Sequence, residues 1–197
     1  MVFSSQVKEK FMARGRPSKK SVILDAAQHL FAQHGYQGTA IDLVVRKAGV
    51  SKPTVYNNFP SKQALLQSLI TRQLETTNKR QQVLLTNGGS ITDNLHTLFQ
   101  QIIEDPFELA LYRIYYGEPY KLNHETLALL NTMQQTTVQN CHAIITPATH
   151  CRARLQTITS LYQQSILMNA LAMTKTFSAD ELSTQIQVLE LIHKTQV

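Results

Sequence analysis

Lys52 and Lys62 each follow a serine, in Ser51-Lys52 and Ser61-Lys62. A serine ahead of a helical run caps the free backbone N–H groups of its first turn. A lysine just inside that start sits at the positive end of the helix dipole, which costs about 0.3–1 kcal/mol in isolation. The arrangement becomes favourable when an anion arrives, because N–H groups, dipole and ammonium then converge on it. Thr39 is expected to cap another run, Ala40 to Ala48. Helix starts that present hydroxyls and cations suit the phosphates of a duplex. The run after Ser51 adds Lys52, Thr54, Tyr56, Asn57 and Asn58 on one exposed side. Asn pairs bidentately with adenine and Thr meets a thymine methyl. The plain alternatives are ordinary capping for the hydroxyls, which is compatible with phosphate binding, and partial core packing for Tyr56.

The surrounding charge agrees with that chemistry. Ten of the 19 Lys and Arg residues fall in residues 1–62, against only Glu9, Asp25 and Asp42. From Leu43 to Leu74 there is no acid at all, while Arg46, Lys47, Lys52, Lys62 and Arg72 lie inside. A one-signed patch repels itself unless a polyanion meets it. The alternative is a solubilising excess, but surfaces built for solubility mix their signs. Arg14-Gly15-Arg16-Pro17 is a separate basic signal. Gly allows close approach to a groove floor, and the narrow minor groove of A·T tracts attracts Arg. A solvated basic tail is the alternative there.

These residues need helices to position them. The 197 residues contain only 7 Gly and 6 Pro, so long helices are expected rather than sheets rich in turns. At 43 % hydrophobic residues the chain can bury a core. Residues 1–15 read as a flexible basic arm, and Met12 reads equally well as a natural start. Ser18 or Pro17 opens a helix with Val22, Ile23, Ala26, Ala27, Leu30 and Phe31 on one stripe. Gly35 suits a left-handed C′ position. A second helix ends at Ala48, Gly49-Val50 makes a tight turn, and Ser51 opens a short third helix that ends at Phe59-Pro60. Pro53 fits its first turn. Helix, tight turn with Gly, short helix is a helix-turn-helix. Ser61 then opens a fourth helix.

Residues 20–66 resemble the DNA-binding domain of the TetR family of transcriptional regulators. The landmarks are Ala26-Ala27, Leu30-Phe31, Gly35-Tyr36, Thr39, Ala48-Gly49-Val50-Ser51, Thr54, Tyr56, Phe59 and Ser61-Lys62. The resemblance implies homodimers on a pseudo-palindromic operator, with Thr39, Lys52, Thr54, Tyr56, Asn57 and Lys62 at DNA-contacting positions. The departures are Leu43, Val45, Pro53 and the pair Asn57-Asn58. They bear on base preference more than on fold. The expected organisation is all-α with about nine helices: an arm over 1–15, a helix-turn-helix domain over 16–62, and a helical effector-binding and dimerisation domain over 63–197.

In that last part the helix starts are Ser90, Asp105, Asn123 and the capping box Ser178-Ala-Asp-Glu181. The resemblance implies an effector pocket, for which His96, Phe99, Phe107, Tyr112, Arg113, Tyr116, Met133, Gln134 and Tyr162 are the candidates. Tyr115 and Tyr120 share the dense tyrosine stretch with them, and an aromatic or amphipathic ligand follows. It also implies a four-helix dimer bundle, for which Leu155, Ile158, Tyr162, Ile166, Met173, Leu182, Ile186 and Leu189 are the candidates. Core packing is the alternative for the pocket set; for the dimer set packing within the chain and across a dimer can both hold, because such helices are apolar on more than one side. Cys141-His142 and His150-Cys151 do not have zinc-ligand spacing, so no metal and no cofactor is expected. The N-terminus lacks a signal-peptide core, and the longest near-apolar stretch is too short to span a bilayer. A cytoplasmic protein is expected. The leading reading is a dimeric, ligand-released transcriptional regulator, in this family usually a repressor. A nucleoid or division factor of the same fold acting through a protein partner is the alternative. An enzyme is disfavoured, because no nucleophile elbow, phosphate loop or carboxylate cluster is present.

Overall fold

The computed structural model describes residues 18–87, 89–146, 151–172 and 177–194, with the side chains of 85–87 and 188–194 left aside. The described chain is all-α. Its helices are α1 (Lys19–Gly38), α2 (Ile41–Ala48), α3 (Lys52–Asn58), α4 (Lys62–Asn87), α5 (Ile91–Ile103), α6 (Pro106–Gly117), α7 (His124–Ile145), α8 (Arg152–Ala172) and α9 (Ala179–Lys194), with a 3-10 turn at Pro119–Lys121. Arg14 and Arg16 lie outside the described residues, so the minor-groove expectation finds no structural counterpart here.

Local chemistry explains most helix ends. Ser18, Ser51, Ser90, Asp105 and Asn123 each accept a backbone N–H of the first turn that follows. The Ser178 box closes reciprocally: Glu181 N–H donates to Ser178 Oγ at 3.1 Å and Ser178 N–H to Glu181 Oε2 at 2.7 Å. Gly49 ends α2 with φ 62° and ψ 35°, the left-handed conformation that makes the tight turn possible. The Thr39 expectation needs correcting. Ala40 is the N-cap of α2 and has no side-chain bond, while Thr39 is fully buried and donates its hydroxyl to Gly35 O at 2.7 Å. Its hydroxyl finishes α1 instead of starting α2.

α1 to α3 form a compact trihelical unit, and α4 runs out of it into the rest of the molecule. Ile23, Ala27, Phe31, Val44, Val55 and Phe59 fill the unit, and Leu65, Leu66, Leu69 and Ile70 of α4 continue the same apolar cluster. The boundary placed between residues 62 and 63 therefore falls at the start of a helix that serves both parts. α1 packs most extensively on α6; beyond it α4 lies on α7, α5 on α9, and α6 and α7 on α8.

Two polar joints, one buried and one partly exposed, brace these helices. In the seam of α4 and α6, Glu108 is fully buried, accepts from Gln73 Nε2 at 2.8 Å and faces Arg80 at 3.4 Å. Burial raises its carboxyl to about 7; Asp105 adds to the rise, and Arg80 and Gln73 oppose it. At the α1–α6 contact the Glu118 carboxylate accepts the N–H of Tyr36 at 3.0 Å and of Gln37 at 2.7 Å. Gly35 makes this possible, with φ 67° and ψ −169°; a Cβ there would lie 2.6 Å from Glu118 Oε1.

Candidate nucleic-acid interface and ligand cleft

α3 projects from the trihelical unit with Val55 buried inward and Lys52, Tyr56 and Asn57 exposed. Ser51 Oγ accepts Thr54 N–H at 3.3 Å and lies 2.8 Å from Thr54 Oγ1. Asn58 spends its amide on Thr54 O at 2.8 Å, so of the two adjacent asparagines Asn57 is the one turned outward. Lys52 is not unopposed: Asp42, the last acid before the acid-free stretch, sits 2.9 Å from its ammonium. The hydrogen bond and the charge of Asp42 raise the Lys52 pKa. An anion arriving at α3 therefore competes with a pair that both partners expose to solvent, the weak kind of ion pair.

At the start of α4, Ser61 accepts Ala64 N–H at 3.0 Å. Lys62 is half-buried; its ammonium donates to Tyr36 O at 2.8 Å and lies 4.3 Å from the Tyr36 ring centre. Burial lowers its pKa, and the charge of Glu118 pulls the other way. One of three N–H donors is thus committed to the end of α1, and the others are left for an anion. The structure brings Ser51, Lys52, Thr54, Tyr56, Asn57, Ser61 and Lys62 onto two neighbouring helix starts and one exposed helix face, and leaves Thr39 inside.

The effector candidates divide. Tyr112, Tyr116 and Gln134 line a cleft of about 180 Å³ between α6, α7 and α8, together with Thr137 and with Gln163, Gln164, Ile166 and Leu167 of α8. Tyr112 donates to Thr137 Oγ1 at 3.0 Å, and Tyr116 O accepts the amide of Gln134. Burial raises the pKa of both phenols, most strongly for Tyr112, so both keep their hydrogens. The other candidates lie elsewhere. Phe99, Phe107, Met133 and Tyr162 are core: Phe99 packs edge-on against Tyr162 at 5.7 Å and Phe177 at 6.4 Å. His96 faces Asp180 of α9 at 3.2 Å. Arg113 gives its guanidinium to the carbonyls of Ala32 and Ala170, both at 3.2 Å, tying α6 to α1 and α8. Sequence reasoning missed Gln163, Gln164 and Glu118. The glutamine pair interrupting the apolar run of α8 was the available signal for the first two, whereas Glu118 looked like part of a turn.

Most of the dimer candidates pack within the single chain. Ile158, Tyr162, Ile166, Leu182 and Ile186 are buried within the single chain, and Leu155 packs against the same core. An amphipathic helix first covers its strongest apolar stripe with its own core. The large apolar residues that α8 leaves outward are Met168 and Leu171, both about half exposed. Met173 lies outside the described residues, and so does the side chain of Leu189.

No described helix is long and apolar enough to cross a membrane. Among the described residues no three His, Cys, Asp or Glu side chains gather where a metal ion would fit. Cys141 is buried, which lifts its thiol to about 12, and Cys151 is exposed.

A trihelical unit with a glycine turn and a capped, outward second helix defines a helix-turn-helix protein. Residues 23–69 match the model of bacterial regulatory proteins of the tetR family. It is 31 % identical over 86 residues to the uncharacterized HTH-type transcriptional regulator YhgD of Bacillus subtilis, a match covering 44 % of this chain and 45 % of YhgD. The matched segment thus spans less than half the length of this curated relative. Solved structures extend the likeness to the whole fold. A putative transcriptional regulator of the TetR/AcrR family superposes with TM-score 0.72 at 20 % identity, over 87 % of this chain and 97 % of its own. The regulator FadR from Bacillus subtilis, solved with stearoyl-CoA, gives 0.63 at 20 % identity over 86 % and 95 %.

Proposed function

We propose that the chain is a transcriptional repressor that binds a pseudo-palindromic operator as a homodimer and is released by a small-molecule effector. One observation carries the reading: α3 stands clear of the core with Asn57 and Tyr56 outward, flanked by the two capped helix starts that hold Lys52 and Lys62. Ser51 and Ser61, with the neighbouring ammonium groups, grip backbone phosphates and set register. Thr54, Tyr56 and Asn57 face the major groove. Thr39 acts from behind, by holding the end of α1. Asn58 holds the last turn of α3.

The outward face of α8, with Met168 and Leu171, supports dimerisation through that helix rather than through its buried stripe. The cleft of Tyr112, Tyr116 and Gln134 supports an effector site, and its wall α6 also carries the Glu118 and Arg113 contacts to α1. The FadR structure, with its bound acyl-CoA, supports an effector role for the helical half of this fold. A ligand shifts the equilibrium only if it prefers one half-site spacing over the other.

Selection of bound duplexes from a random pool tests the reading. The expected product is a palindrome with half-sites about 10 bp apart centre to centre. A pool that stays unenriched in dilute buffer overturns it.

A further inference from the structure

We propose that the cleft between α6, α7 and α8 takes an uncharged aromatic amide of about benzamide size and discriminates against charged isosteres of either sign. The inference rests on the reading of this cleft as a ligand site and names the chemistry it selects.

The walls supply flat apolar area. Tyr112 and Tyr116 stand one turn apart on α6, facing Ile166 and Leu167 on α8. The volume of about 180 Å³ suits one ring with one polar group, since a cavity of about 150 Å³ already holds benzene. The polar groups are neutral throughout, and no lining residue carries a charge. The two nearest charges on α6 are turned away: Arg113 is spent on the Ala32 and Ala170 carbonyls, and Glu108 faces Gln73 and Arg80 of α4. A carboxylate or an ammonium entering here would lose water without meeting a counter-ion.

The hydrogen-bond accounting selects an amide. Tyr112 donates to Thr137, and Thr137 hands its own hydrogen on to Met133 O at 3.2 Å. Tyr116 O accepts from Gln134 Nε2, so Tyr116 keeps an O–H to give while Gln134 keeps a carbonyl to accept. Donor and acceptor lie side by side, the complement of a primary amide's C=O and N–H.

Benzamide, benzoate and benzamidine share one shape and differ in charge. Titration of the full chain with each, read by calorimetry or ligand-observed NMR without DNA, should give millimolar binding of benzamide. It should be at least about tenfold tighter than either charged isostere. Gln134→Glu, on the cleft rim, should invert the order in favour of benzamidine by a similar factor. Benzoate binding as well as benzamide, an unchanged order in Gln134→Glu, or no binding of benzamide at ~10 mM would overturn the proposal. A separate DNA titration reads the release reaction, so failure of either idea is visible without the other.

Discussion

The trihelical unit spends its polar side chains on helix ends, whereas the helices behind it bury theirs against one another. Ser51, Asn58 and Ser61 each bond a backbone group within four residues, and the Thr54 hydroxyl bonds that of Ser51. Glu108, Gln73 and Arg80 meet only because α4 and α6 pack together, and Glu118 reaches across to Tyr36 and Gln37. The first kind of bond follows from neighbours in the chain. The second kind depends on how distant segments approach, and it makes stability sensitive to single groups. The outward face of α3 is thereby set by short-range rules, while the joints that hold it to the rest are set by long-range ones.

The sharpest way to break this contrast is Glu108→Gln. With the folded-state carboxyl raised from 4.5 to about 7, the folded protein binds more protons than the unfolded chain between those values. Stability should then fall as pH rises across that window, by roughly 3 kcal/mol in total. Chemical denaturation at stepped pH should show that slope in the natural chain and lose it in Glu108→Gln. An equal slope in both would remove Glu108 as the cause.

Gly35→Ala comes next. The backbone there belongs to a region almost confined to glycine, so about 1–3 kcal/mol should be lost. The Glu118 carboxylate must also move, since it lies 2.6 Å from the new Cβ position. Gly117→Ala is the control, with open space at its Cβ and a helical site, and should be neutral or slightly stabilising. If the two variants melt alike, the α1–α6 joint is not the constraint described.

On the proposed DNA face the expected effects differ in kind. Asn57→Ala should cost about 1–3 kcal/mol on the selected operator and little on random duplex. Equal loss on both would deny base readout. Lys62→Ala should weaken binding to all duplexes and reduce the salt slope by about 0.9. Because Lys62 also holds Tyr36 O, a modest fall in melting temperature should accompany it. An unchanged slope with that same fall would make Lys62 a purely internal tie.

Much of the helix-turn-helix was legible before any coordinates. Gly49, Ser51, Ser61 and the spacing of Val44, Val55 and Phe59 each carry their meaning within a few residues. Thr39 misled because a threonine between two helices can finish one or start the next, and only the position of the Gly35 carbonyl decides which. Among the aromatic residues, Tyr112 and Tyr116 proved to line a cleft while Phe99 and Tyr162 proved to be core, although nothing in their local sequence separates them.

By itself the sequence determined the helical class, most caps and turns, the basic amino-terminal third and the outward Lys52, Tyr56 and Asn57 of α3. All of these rest on interactions between near neighbours or on composition. Which stripe of α8 faces inward, where Arg113 and Glu118 send their charges, and which glutamines border the cleft were decided by tertiary structure alone. The physical reason is that a long helix with apolar residues on several sides has several comparable ways to pack. The choice among them belongs to the summed burial of distant segments, which no local pattern records.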